Sequence, residues 1–503
     1  MKPEIALLAT REELIEENGR LETKLAQTEH RLAWLERQIF GTKSERFIPA
    51  NDQQTMLDLG IGPSPVPAPP PQKISYERSA AKTEKESEGH GRGPMPAHLP
   101  IVDERIEPED KPEGAVCIGE EASWRYEYKP GSLYIKRTIR PKYVLPGQDG
   151  VTIAPLPPAP VEKGNAGPSL IAHVTQSKYE FHIPLDRQRK MIAQQSGVLL
   201  AESVMCDIIK AGCFWIEPVY LGSVDHIKKC RYLQADETPI PVLCKDHKGK
   251  THRGYYWVFY DPLGKVVVFV YHKSRGGDVP KTFLTGFKGI LQVDGYEAYN
   301  AVCSQPGIAR AACMDHVRRY FERARDLQPD DAEYALSIIG SWYEIERDSR
   351  KSNLDAAMCL ARRKEFIAPS MEQFQAWLKE QAMNALPKSP MGEAVGYALG
   401  QWPHFQPFLN DGDVQLSNCL IENSIRPVAI GRNNYMFKGS HDAAQRGAMI
   451  YSIIGTAKLH GIDRFEYLTD LFTRLPASTN RQIEPFLLQN WKSKKEDTSN
   501  TAA

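Results

Sequence analysis

The 503-residue chain carries no net charge, because 63 basic residues balance 63 acidic ones. Overall charge therefore selects no partner, and any basic footprint for nucleic acid must be local. No C-x-x-C pair occurs among the nine cysteines, and their number is odd. That disfavours a disulfide frame or an intact zinc ribbon and points to reduced thiols. No run reaches the ~18 to 20 apolar residues of a membrane-spanning helix. The opening MKPEIALLATREELIEEN lacks the apolar stretch of a secretory signal, so the expected location is the cytoplasm.

What the chain does contain is a series of unlike segments, and its length predicts several modules rather than one core. Leu7, Leu14, Leu21 and Leu35 share one phase of a seven-residue beat, and Leu25, Leu32 and Ile39 share its companion. The companion phase also holds Asn18, a polar residue of the kind that fixes register in two-stranded coils. Residues 1–45 are thus expected to be a coiled coil that pairs two copies of the chain, the alternative being a single amphipathic helix packed on its own domain. A Pro-rich stretch, GPSPVPAPPPQ, and a charged run after it make 46–100 a linker. Residues 101–160 read as short strands. Lys136, Arg137, Arg140 and Lys142 lie there near Tyr134 and Tyr143, either as a phosphate-contacting patch or as an ordinary solvated strand face.

Residues 161–225 read as three helices, SLIAHVTQSKYEF, PLDRQRKMIAQQSG and LAESVMCDIIKAGCFW, punctuated by Pro184 and Gly197. The middle one carries Arg187, Arg189 and Lys190. A helix-turn-helix-like DNA-binding domain and a plain helical bundle both fit this pattern. From 226 the character changes. RYLQADETPIPVL, RGYYWVFYD and KVVVFVYHK are rich in Val, Tyr, Phe and Trp and are split by turn residues. DVPKTFLTGF reads as a helix, GILQVDGYEAY as a strand, and ARAACMD as a further short run. The expected fold class is an α/β ribonuclease-H-like core over 226–445, interrupted by an all-α insertion at about 322–405. A C-terminal helical segment follows over 446–495.

Asp236 and Asp294 punctuate the first and fourth of these strands, and Glu422 sits in the helical-looking run LSNCLIENSIRPVAIGRNNYMF. Two strand carboxylates and a later helix carboxylate are what a protein needs to hold two divalent ions for phosphoryl transfer. The pattern leaves competitors among the other acids, namely Glu237, Asp261, Asp278 and Asp315. Asp261 precedes Pro262 and Gly264 and reads as a turn residue, Asp278 as a helix cap, and Asp315 as a ligand or a surface pair with His316.

ADETPIPVL, LQVDGYEAYN, MDHVRRYF and NCLIENSIRPVAIGRNNYMFKGS, in this order, resemble the DDE transposases of the bacterial insertion-sequence sixty-six family. QIFGTKSERF, PMPAHLP, SKYEFHIPLDRQ and TAKLHGIDRFEYLTDLFTRLP extend the resemblance over nearly the whole chain. It implies cleavage at transposon ends and strand transfer into target DNA. Asp236, Asp294 and Glu422 would be the metal-binding triad for two Mg²⁺ or Mn²⁺ ions. His316, Arg319, Asn418, Arg426 and Arg432 would support the site. The implied partners are terminal-repeat and target DNA, a second copy of the chain, and small accessory proteins encoded by the element.

Three positions depart from the family pattern. Only Cys117 stands where the family has paired zinc-binding cysteines, so no zinc is expected there. Cys419 occupies a frequent Asn position, and Asn433 a frequent Lys position. Two rival readings remain: a catalytically silent DNA-binding or assembly protein derived from such an enzyme, and a nuclease of ribonuclease H or junction-resolving type.

Overall fold

The computed structural model describes residues 164–243, 250–478 and 482–493, with short pieces between 131 and 161. The expected coiled coil, the linker, most of the 101–160 region, Cys117 and Arg140 lie outside the described residues. No helix among the described residues is long and apolar enough to cross a membrane.

Three helices come first: α1 (Pro168–Tyr179), α2 (Leu185–Ser196) and α3 (Glu202–Lys229). Pro184 stands at the N-cap of α2, and Gly197 closes that helix with φ +71°, a conformation that glycine adopts without steric cost. The sequence pattern ends the third helix near Trp215, but α3 runs on through Pro218 to Lys229. A mid-helix proline removes one backbone hydrogen bond. The continuation is held by burial of Ile216, Val219, Tyr220 and Ile227 along one face. The Tyr220 hydroxyl also donates to the carbonyl of Phe269 at 3.0 Å. These helices share one apolar core with the sheet.

The sheet has β1 (Tyr232–Leu243), β2 (Thr251–Asp261), β3 (Val266–His272), β4 (Gly289–Gln292) and β5 (Ile308–Ala311). Its strand order is β3-β2-β1-β4-β5. The first three strands are antiparallel, while β4 and β5 join parallel to β1. A short helix, α4 (Asp278–Phe283), leads into β4, and α5 (Asn300–Cys303) precedes β5. This agrees with the strand and helix order expected from the sequence, and the sheet is mixed.

Pairing of β1 with β4 covers only Tyr232–Gln234. Beyond it the far half of β1 is an edge on that side, which is why Pro239 and Pro241 are tolerated in a central strand. The opposite edge, β3, is covered by α13 (His441–Leu459). There the Phe269 N–H donates to Ser452 Oγ at 2.8 Å, and the Val267 N–H donates to Thr456 Oγ1 at 3.1 Å. Helix hydroxyls thus stand in for the missing neighbour strand. The next helix, α14 (Arg464–Arg474), packs in the same core.

After β5 come α6 (Met314–Ala324), α7 (Pro329–Lys351), α8 (Ala356–Arg362), α9 (Ala368–Asn384), α10 (Pro390–Gln401) and α11 (Gln406–Asn410). They build a second core around Phe321, Trp342, Phe374, Trp402 and Phe405. Within it Arg363 and Glu346 form a buried two-pronged pair, with Nε–Oε1 at 2.7 Å and Nη2–Oε2 at 2.8 Å. The remaining Arg363 nitrogen donates to the carbonyls of Phe408 and Asp411 at 3.1 and 2.9 Å. The chain then returns to the sheet through α12 (Cys419–Tyr435), which carries Glu422 in its first turn.

Candidate active site

In β1 the side chains of Gln234 and Asp236 fall on one face, because strand side chains alternate. Gln292 ends β4 in register with Gln234, and Asp294 follows two residues later. The two aspartates therefore leave neighbouring parallel strands on the same side. Asp294 Oδ1 accepts the N–H of Tyr296 at 2.9 Å, which turns the chain sharply away. Asp236 Oδ1 accepts the N–H of Glu237 at 2.8 Å.

The pair of glutamines fixes the third acid. Gln234 Nε2 donates to Gln292 Oε1 at 2.9 Å and to the carbonyl of Ser417 at 3.2 Å. Gln234 Oε1 accepts the N–H of Ile421 at 3.3 Å, one residue before Glu422. Gln292 Nε2 donates to the carbonyls of Ala312 and Gln415 at 2.8 Å each. Asn418, which is fully buried, takes the N-cap position of α12 and accepts a bond from Cys313 Sγ at 2.9 Å. A polar layer thus clamps the start of α12 onto the centre of the sheet. Its glutamines escape sequence inspection, although their placement two residues ahead of each aspartate is a usable signal.

Electrostatics mark the same place. Burial, the neighbouring carboxylate of Glu237, and then the charges of Asp294 and Glu422 push the Asp236 carboxyl up to about 8. His316 lies on α6 within reach of the charges of Asp294 and Glu422, and burial lowers its pKa. One turn along α6, Arg319 Nη2 contacts both Glu422 oxygens at 2.6 and 2.5 Å. The structure therefore brings together Asp236, Asp294, Glu422, His316 and Arg319. Arg310 Nη2 supports the turn by donating to the Asp294 carbonyl at 2.7 Å. The insertion contributes as well. Tyr397 on α10 accepts the Gly295 N–H at 3.2 Å, and a Cβ at Gly295 would lie 2.7 Å from its ring.

The other sequence candidates are placed differently. Arg426 is exposed one turn beyond Glu422 on α12. Arg432 donates to the carbonyl of Pro239 on the free edge of β1. With Arg253, which the sequence reading did not single out, it walls a cavity of about 320 Å³ beside Pro239 and Pro241. On α2, Asp186 pairs with Arg189 at 2.8 Å and with Lys190 at 2.6 Å, leaving Arg187 exposed. Lys136 and Arg137 are exposed, and Lys142 opens a two-residue ladder in which Lys142 pairs with Ile153.

The competing acids have structural duties. The Glu237 side chain, 2 % exposed, takes Arg275 at 2.6 Å and the Tyr299 hydroxyl at 2.8 Å. Asp315 accepts from the Tyr343 hydroxyl rather than sitting as a surface pair. Asp278 is the first residue of α4 and makes no cap, that position belonging to Gly277. Asp261 closes the β2–β3 turn by accepting the Leu263 N–H at 2.9 Å. It also accepts from His226 Nε2 at 2.9 Å and Cys230 Sγ at 3.1 Å. Among the described residues, those three are the one His/Cys/Asp/Glu group whose ligand atoms all lie within 4.8 Å of each other. Hydrogen bonding within the group already accounts for it.

The candidate triad is wider, with Glu422 drawn onto Arg319. Its donor set is nonetheless hard oxygen, and a cation would favour the ionised form of Asp236, whose carboxyl is raised first by burial and then by the charges of Glu237, Asp294 and Glu422. Both properties fit divalent Mg²⁺ or Mn²⁺ held by one or two carboxylates each.

Residues 163–446 match the family described as Transposase IS66 family. Residues 27–103 match the model described as Transposase C of IS166 homeodomain, and residues 452–487 the IS66 C-terminal element. The chain is 30% identical over 485 residues to Uncharacterized protein y4jD of Sinorhizobium fredii, covering 92% of this chain and 94% of that protein. It is 32% identical over 422 residues to Uncharacterized protein y4qI of the same organism, covering 79% and 76%.

Proposed function

Because the chain belongs to the IS66 family of transposases, we propose that it cuts DNA at transposon ends and joins them to target DNA in one carboxylate centre. The observation that carries this reading is the arrangement of Asp236 and Asp294 on neighbouring parallel strands, with Glu422 clamped opposite them by the Gln234–Gln292 layer. The strand order 3-2-1-4-5, with a helical insertion ahead of the third acid, supports a ribonuclease-H-like core.

Asp236, Asp294 and Glu422 would hold the divalent ions, which when bound supply charge neutralisation and an activated attacking oxygen. The protein's own groups do the rest. Arg319 stands where its guanidinium can pass from Glu422 to a scissile phosphate. His316, kept neutral by burial, offers a lone pair or an N–H to a water or a phosphate oxygen. Arg253 and Arg432 line the adjoining cavity and suit the flanking strand. In the first reaction water attacks phosphorus, the bond to the 3′ oxygen breaks, and that oxygen leaves as a hydroxyl. In the second, the freed 3′-hydroxyl attacks a target phosphodiester and displaces its 3′ oxygen.

Work on DNA would place the protein in the cytoplasm. The expected N-terminal coil would hold two copies, one per transposon end, and Arg187, Lys136 and Arg137 offer exposed charge for terminal-repeat backbones. Nicking of an end-sequence duplex with Mg²⁺, compared between the wild type and Asp294→Asn, tests the reading. Equal silence of both proteins on a pre-cut end would favour the non-catalytic assembly protein. Cleavage of a hybrid or four-way junction in preference to end DNA would favour the nuclease.

A further inference from the structure

Behind the C-terminal end of α12, the chain gathers cations instead of acids. A cavity of about 90 Å³ is walled by Lys178, Lys210, Lys438 and Arg446, with Gly439 and Ala443 from the start of α13. No carboxylate lines it among the described residues. Lys210 is answered by Asp207 at 2.7 Å. The most deeply placed cation is Lys438, whose residue is 3 % exposed and whose Nζ is buried with no hydrogen-bond partner. Burial, and then the charge of Lys178, push the pKa of this amine well down, and an anion beside it would draw a proton back onto it and give it a partner.

The Lys438 backbone is fixed. Its N–H donates to the Pro241 carbonyl at 2.8 Å, and its carbonyl accepts the Leu243 N–H at 2.9 Å. These bonds fix it as an added bridge on the free edge of β1. Its amine lies 4.6, 4.7 and 5.4 Å from the ring centres of Tyr179, Tyr435 and Tyr451. Ring faces stabilise positive charge but do not satisfy three N–H donors. Gly447 makes room for the lysine side chain itself, since a Cβ there would lie 2.6 Å from the Tyr256 hydroxyl and 3.2 Å from the amine. The positive end of the 19-residue α13 opens on the same cavity.

We propose that this cavity is an anion site that takes a phosphate group, with Lys438 at its floor and Lys178 and Arg446 as further donors. An anion there would satisfy the orphan amine and favour its protonation beside Lys178 and Arg446. The site does not depend on the transposase reading. Only the source of the phosphate does, being either a DNA backbone or free inorganic phosphate.

Thermal melting of the full chain in inorganic phosphate, against chloride at equal ionic strength, tests the proposal. The wild type should gain a phosphate-specific rise in its midpoint. Lys438→Met should fold, by circular dichroism, and lose that rise. Arg446→Gln should weaken the apparent phosphate affinity about ten-fold, the equivalent of one charge-assisted hydrogen bond. Lys210→Gln should weaken it less than Arg446→Gln does, because Asp207 already answers Lys210. No phosphate-specific rise in the wild type, or a full rise in Lys438→Met, overturns the site. If Lys438→Met fails to fold, an undiminished response in the double variant Lys178→Gln/Arg446→Gln overturns it. A salt titration of duplex binding identifies the source. A slope reduced by about one in Lys438→Met assigns the phosphate to DNA, and an unchanged slope with a lost melting response assigns it to the free ion.

Discussion

In the helical insertion, Arg363 and Glu346 close on each other so that each guanidinium nitrogen and both carboxylate oxygens have a partner. At the sheet, burial first, and then the charges of Glu237, Asp294 and Glu422, push the Asp236 carboxyl up to about 8. The first cluster is complete within the protein and belongs to stability. In the second, Arg319 meets Glu422, while Asp236 has the backbone N–H of Glu237 and no cationic partner among the described residues. Both clusters hold buried acids, and they differ in whether a counter-charge meets each one. Lys438 extends the lesson to the opposite sign.

The largest expected effect comes from removing an open charge. Asp294→Asn should lower end-nicking by on the order of 10³-fold or more, comparable to losing a main source of transition-state stabilisation. Its denaturation midpoint should hold or rise, since a like charge beside Asp236 is gone. A variant that unfolds instead would break the comparison. For the closed pair the pattern reverses. Glu346→Ala leaves Arg363 buried and unanswered, and should cost about 3–5 kcal/mol in denaturant unfolding.

Arg319→Ala should reduce nicking about 10²-fold while leaving unfolding nearly unchanged, because its pair with Glu422 is half exposed. Gln234→Leu should cost about 1 kcal/mol by removing the bonds to Gln292, the Ser417 carbonyl and the Ile421 amide, although Gln292 and Ile421 keep other partners. Its nicking rate should fall more than its stability predicts, since the start of α12 loses its clamp.

Asp261→Asn should show the smallest change, about 1 kcal/mol at neutral pH. Despite its burial, bonds from His226, Cys230 and the turn amides hold the Asp261 carboxyl below its ordinary value. A depressed folded pKa contributes stability above the unfolded value of about 3.9, and that stability is lost as pH falls through the folded value. The acid limb of the stability curve below about pH 4 should therefore be shallower in the variant. An identical limb would remove Asp261 from the set of closed charges.

Much of the site was legible in the chain. Asp236 and Asp294 stand beside runs whose Val, Tyr, Phe and Trp content marks strands, and the insertion explains why Glu422 comes so late. His316 and Arg319 were legible through the MDHVRRYF motif. The glutamine clamp, the reach of Tyr397 to Gly295, and Arg253 beside Arg432 were not, because each depends on contacts between segments far apart in sequence. The same holds for α3, whose passage through Pro218 is decided by burial on both sides of it. Asp315 and Asp278 went the other way, toward Tyr343 and an uncapped helix start.

By itself the sequence determined local periodicity, the strand and helix order, and which acids stand at strand ends, because these follow from residue type and spacing. Tertiary structure alone decided which charges meet a partner. Arg363 finds Glu346, Arg319 finds Glu422, and Lys438 finds only tyrosine rings. Pairing depends on distances between elements that the chain order does not encode.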